Sequence, residues 1–171
     1  MVDRLGSPLY LFARDIVREL NNELGFYTNL KGVSESVRAK IKISTLSFYK
    51  DNVWDFSAEY PGLRSRAVAL RFSQIHFEDG SDITMPGYEC YLSSVKEYCY
   101  SLLVDPPSTY PKWSTICVAM TKGVRNLLRF MRGAGIDRFS GVIDLDFQAF
   151  QDWVAESANK AGGLITDRTL K

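Results

Sequence analysis

Lys122, Arg125, Arg129 and Arg132 recur at steps of three and four in a chain of 171 residues. At the roughly 100° per residue of an α-helix, that spacing sets four cations on one flank. A rigid row of this kind can follow a line of phosphates. Three of the four are arginines, whose planar forks suit phosphate oxygens and guanine edges. Lys112 and Arg138 extend the positive field at either end. No aspartate or glutamate lies between Lys112 and Arg132, so ion pairs between helical neighbours cannot neutralise the row from within. The chain's net charge is only +1, yet residues 112–138 hold six basic groups and one acidic. Residues 1–111 hold 12 and 14, and residues 139–171 hold 3 and 5. Positive charge is therefore local, which points to a surface patch and not to a global field. Arg64, Arg66 and Arg71 make a second, weaker group.

Other chemistry is sparse. His76 is the only histidine, placed between Ile75 and Phe77 in a strand-like pattern, where a structural role is expected. With one histidine, no ligand set for zinc can be assembled. Cys90, Cys99 and Cys117 form no CxxC pair and sit in apolar, helix-like surroundings, so buried reduced thiols are expected. Gly133 and Gly135 close a helix where a phosphate loop would open one. Asp144 and Asp146 suit capping and dipole pairing at a helix start. No catalytic, metal or cofactor site is expected.

The cationic row needs a helix to carry it, and residues 112–139, KWSTICVAMTKGVRNLLRFMRGAGIDRF, supply one. Ser114 and Thr115 suit the N-cap. Ile116, Ala119, Met120, Val124, Leu127, Leu128, Phe130 and Met131 form a broad apolar arc beside the cations. Gly133 and Gly135 stop the helix. Upstream, residues 8–24 predict an amphipathic helix with Leu9, Phe12, Ile16, Val17 and Leu20 inward, then a polar, mobile connector to Lys40. Residues 41–49, 53–56 and 67–77 predict three strands of a small antiparallel sheet. Residues 86–104 predict an aromatic-rich helix ending before a stiff Pro-rich linker. Residues 145–156 predict a last helix with Phe147, Phe150, Trp153 and Val154 inward, and Gly162-Gly163 breaks the remaining stretch. The expected fold class is α+β: an N-terminal helix and three-stranded sheet, then an all-α bundle. Hydrophobic content of 46% supports a real core. No apolar run approaches the roughly 20 residues of a membrane span. Arg14, Asp15 and Arg18 interrupt any signal-peptide pattern, so a cytoplasmic location is expected.

The stretch from Ser114 to Trp153 resembles the core-binding (SAM-like) domain of tyrosine recombinases, the phage integrase family. The resemblance is carried by Thr115, by Leu127-Leu128-Arg129-Phe130-Met131, by Gly135-Ile136, and by the acidic-aromatic helix from Asp146 to Trp153. Residues 86–104 are similar to the preceding helix of that bundle. The β-rich region resembles, in composition alone, the arm-type region that some integrases carry. The resemblance implies a bundle that clamps duplex DNA at a recombination site. The family's catalytic domain, with its tyrosine nucleophile, has no counterpart here, so this chain is not expected to be an enzyme by itself. The implied division is 1–84 for the N-terminal helix and β-rich region and 85–161 for the core-binding domain. Residues 162–171 then start a linker to a catalytic domain outside the chain. Double-stranded DNA is the expected partner, with self-association on it. The alternative is a protein-interaction module using Tyr88, Tyr91, Tyr98, Tyr100, Trp113 and Trp153.

Overall fold

The computed structural model describes residues 12–60, 62, 68–105 and 113–160. Pro8, Leu9, the Pro-rich linker and the 162–171 segment lie outside these residues. Helix α1 spans Phe12–Leu20 and buries Val17 completely. Its end is pinned by Asn21, a buried amide whose three hydrogen bonds leave little unsatisfied. Nδ2 donates to the Val17 carbonyl at 2.5 Å and the Lys42 carbonyl at 2.7 Å, and Oδ1 accepts from the Lys42 N–H at 2.8 Å. Gly25 then turns the chain at φ +94°.

The expected mobile connector is instead tied down. It contains a short helix, α2 (Glu35–Arg38), and Arg38 staples it from within. Nε donates to Val33 O at 2.8 Å and Nη2 to Leu30 O at 2.7 Å, while Nη1 pairs with the Glu97 carboxylate. Composition marked this segment as polar, but one guanidinium serves three acceptors there.

The sheet has two strands among the described residues, not three. Strand β1 (Val53–Asp55) runs antiparallel to β2 (Ala69–Arg71), with Trp54 opposite Leu70. The expected first strand, 41–49, closes on itself through a single bridge between Lys42 and Phe48. Its serines account for the difference. Ser44 Oγ donates to Asp55 O at 2.5 Å, and Ser47 Oγ accepts from the Asp55 N–H at 2.9 Å. These side chains replace ladder bonds with local ones. Ile41, Ile43 and Tyr49 are nonetheless buried, so the apolar pattern reported burial correctly and backbone state wrongly. The expected third strand likewise stops at Arg71 and turns into a 3-10 segment, Phe72–Gln74.

Helix α3 spans Glu89–Val104. A continuous helical rod comes next: α4 (Trp113–Val118), a π segment (Ala119–Val124) and α5 (Arg125–Gly133). Ser114 and Thr115 thus lie inside the first turn and not ahead of it. Helix α6 (Asp144–Lys160) packs on α5 through Phe130, Phe150 and Trp153, with ring centroids 5.5–6.3 Å apart. Phe147, expected inward, is exposed, as are Ile143 and Leu145. No helix among the described residues is long and apolar enough to cross a membrane.

One buried cluster joins residues from both sides of position 84, from Val17 through Trp54 and Phe72 to Tyr100, Trp113 and Met131. Trp54 meets Phe72 edge to face at 5.2 Å, and Phe56 meets Trp113 at 4.5 Å. Cys99 and Cys117 are buried in it, whereas Cys90 is exposed, contrary to expectation.

The core also holds a charge. Lys96 is 5% exposed. Its ammonium donates to Lys50 O at 2.9 Å and lies 5.3 Å from the Phe72 ring centroid. Burial pulls its pKa down to about 8, against the weaker upward pull of Asp51 and Glu35.

These buried polar groups make stability measurable in two ways. Asn21→Ala strands the Lys42 N–H and carbonyl, and should lower unfolding free energy by about 1–3 kcal/mol in urea titration. Lys96 has a folded-state pKa below its unfolded value, so the unfolded chain holds more protons between about pH 8 and 10.4 and Lys96 adds stability as pH rises there. The Cys99 and Cys117 thiols, pushed up by burial, act in the opposite sense. The difference between wild type and Lys96→Met isolates the lysine: wild type should gain on the variant from about pH 8 to 10, by thermal melts.

Candidate nucleic-acid interface

The rod carries the candidate site, and its hydrophobic side decides how it is rolled. Trp113, Ile116, Cys117, Met120, Val124, Leu128 and Met131 are buried, while Ala119, Leu127 and Phe130 pack half-buried at the edges. At the foot of the rod, Trp113 Nε1 donates to Val68 O at 2.8 Å. At its head Gly135 takes φ +73° and Ile136 N–H reaches back to Met131 O at 2.8 Å. This is a Schellman cap, with Gly135 and not Gly133 as the stop.

The middle of the rod departs from a regular α-helix. Thr121 Oγ1 donates to Cys117 O at 2.8 Å, occupying the carbonyl four residues back. Such back-bonding, with Gly123 beside it, loosens the ladder into the π segment. The wider turn holds Lys122 and ends just before Arg125, so the flank is not evenly spaced.

The four cations meet different surroundings. Lys122 is exposed. Arg125 is half-buried, and its Nε is buried with no hydrogen-bond partner. Arg129 is half-buried, and its Nε donates to the His76 carbonyl at 3.3 Å. Arg132 pairs with Asp79, Nη2 to Oδ2 at 2.6 Å, and its guanidinium lies 4.8 Å from the Phe77 ring centroid and 5.5 Å from that of Tyr88. The row lacks carboxylates of its own, but the fold brings one from 53 residues upstream. His76 itself is exposed and contributes its backbone to the site.

Asp79 is held as an anion. The Arg132 side chain, then the Ser81 hydroxyl and N–H, keep its carboxyl far below the usual carboxylate range. Ser81 donates to Oδ1 through N at 3.0 Å and Oγ at 2.5 Å, which leaves Oδ2 for Arg132. A cavity of about 300 Å³ opens beside the pair, lined by Phe77, Glu78, Asp79, Arg129, Arg132 and Gly133.

Arg138 belongs elsewhere. It pairs with its neighbour Asp137 at 3.0 Å, places Nη2 3.6 Å from Cys90 Sγ, and lines a separate groove of about 740 Å³ with Glu97 and Tyr98. The Asp137 pKa is lowered, chiefly by the Arg138 hydrogen bond. Arg71 is exposed at the end of β2. Lys112, Arg64 and Arg66 lie outside the described residues. Among the described residues no group of three or more His, Cys, Asp or Glu could hold a metal ion.

Three members of the site carry no signal in the sequence: Asp79, Phe77 and Tyr88 lie in other elements, and only tertiary contact joins them to Arg132. Asn126, exposed between Arg125 and Leu127, was legible as a polar residue on the same helix but shows no charge pattern. No protein-family model, curated protein or solved structure matches the chain.

The two kinds of side chain on the rod should separate in stability measurements. Trp113→Ala should lower unfolding free energy by about 3–5 kcal/mol, chiefly through lost packing, since the Val68 carbonyl still accepts from the Phe56 N–H at 2.9 Å. Arg132→Gln, removing an exposed ion pair, should leave the thermal midpoint near wild type.

Proposed function

We propose that this chain binds double-stranded DNA as the N-terminal, non-catalytic portion of a tyrosine recombinase. The observation that carries the reading is the outward flank of the 113–133 rod. Lys122, Arg125 and Arg129 project from one rigid element that contains no carboxylate and is anchored on its other side by a buried apolar stripe. Phosphate contacts require cations whose positions are set before binding, since each flexible side chain ordered on association costs affinity. Arg125 is half-buried on this flank, so packing restrains its stem before any ligand arrives. Asn126, exposed beside it, adds a side chain able to bond adenine edges.

The alternative, a protein-interaction module built on aromatic surface, loses half of its six residues to the core. Tyr91, Tyr100 and Trp113 are buried, and Tyr88 and Trp153 are half-buried. Tyr98 remains exposed. Exposed Ile143, Leu145 and Phe147 favour a protein contact as an accompaniment to DNA binding, consistent with self-association on DNA.

The test is fluorescence anisotropy of the purified chain with a labelled duplex across a salt series. Three phosphate contacts predict a slope of log K against log salt near −3, at about −0.9 per contact. Lys122→Gln with Arg129→Gln should weaken binding roughly tenfold at low salt and flatten the slope by about two contacts' worth. Absence of binding at low salt, or an affinity indifferent to salt, would overturn the reading.

A further inference from the structure

Among the described residues, Arg132 is the one cation of the row already occupied by an anion. Its partner is geometrically specialised. Asp79 sits in a tight turn, with Gly80 beside it at φ +84°, and Ser81 holds one carboxylate oxygen while the other faces the guanidinium. Phe77 and Tyr88 flank the same guanidinium, so Arg132 stays in place when its anion leaves. Arg129 lines the adjoining cavity with its Nε on the His76 carbonyl, which leaves its terminal nitrogens available to a second anion.

Resting on the DNA-binding reading, we infer that the cavity between Arg129 and Arg132 is a site for one backbone phosphate of duplex DNA, and that Asp79 occupies Arg132 as a built-in competitor displaced on binding. A phosphodiester oxygen accepts from the same guanidinium N–H groups as Asp79 Oδ2, so one can replace the other on the same donor. The exchange is cheap in this setting. Both partners are substantially exposed, with side chains 39% and 50% accessible, and exposed ion pairs contribute little net stability. The competitor therefore tunes affinity without abolishing it. It also selects for ligands that bring several phosphates at once, because a lone anion gains too little from one arginine to displace a tethered carboxylate.

Asp79→Asn tests this directly. The amide keeps an oxygen for Ser81 and replaces the one facing Arg132 with a donor, so the turn is preserved and the competitor lost. Glu78→Gln removes the same unit of charge from the same cavity lining but from a residue with no ion pair to Arg132, and serves as the charge-matched comparison. By anisotropy at fixed salt, Asp79→Asn should tighten duplex binding about two- to fivefold, more than Glu78→Gln, and adding Arg132→Gln should erase the gain. Asp79→Ser, whose hydroxyl can still accept from Ser81 N–H, replaces the amide variant if circular dichroism shows the latter misfolded. If wild type binds DNA but Asp79→Asn gains no more than Glu78→Gln, or keeps its gain without Arg132, the competitor role is overturned and the DNA reading stands. If none of the proteins binds at low salt, both fall. Inorganic phosphate at the same ionic strength should not displace the duplex; displacement would overturn the selection for a polyanion.

Discussion

The packing of Trp113 is the constraint on which the rest of the structure depends. Its indole is 1% exposed, packs against Phe56 and donates to the Val68 carbonyl. A tryptophan N–H buried in an apolar core has to find an acceptor, and Val68 stands immediately before β2. That bond, with the buried stripe from Ile116 to Met131, fixes both the roll and the height of the rod relative to the β pair. Once the roll is set, Lys122 must face outward, and Arg129 and Arg132 must meet the turn beyond the β pair. The electrostatics of the site are thus a consequence of how an indole is satisfied.

Among the described residues, two ion pairs in this fold are long-range. Arg38 binds two carbonyls and Glu97, and Arg132 binds Asp79. The two ion pairs link residues 59 and 53 positions apart, so each ties together distant elements. The Arg132–Asp79 pair is exposed and adds little to stability, whereas the Arg38 side chain is only 15% accessible. Lys122 is exposed, Arg125 is half-buried, and Arg132 is occupied by Asp79. Buried Lys96 shows the contrary case, a cation kept in the core by a carbonyl and a ring face, with its proton held less tightly as a result.

Helices were the legible part of the sequence because their signal is periodic and local. The α3, α5 and α6 patterns, and the glycine cap at Gly135, needed only neighbours along the chain. The π segment was not legible, since Thr121 back-bonding competes with the ladder by a fraction of a hydrogen bond that no spacing rule registers. The strand expected at 41–49, and the part beyond Arg71 of the one expected at 67–77, differ for a related reason. Alternating apolar residues mark burial, and Ile41, Ile43, Phe72 and Phe77 are buried, but Ser44 and Ser47 bond elsewhere. Phe147 and Cys90 failed differently: an apolar side chain at the end of an element has no assurance of a partner to cover it.

What the chain determined by itself is the carrier: an amphipathic rod with a carboxylate-free cationic flank, a buried stripe and a glycine stop. Those properties depend on residues within one turn of each other, and local spacing settles them. The tertiary structure alone decided which cations are available. Asp79 lies 53 residues from Arg132, and the guanidinium is met by the Phe77 ring from the same turn and by the Tyr88 ring from one further segment. Coulomb attraction acts through space and not along the chain, so no local pattern around Arg132 could announce the carboxylate that meets it.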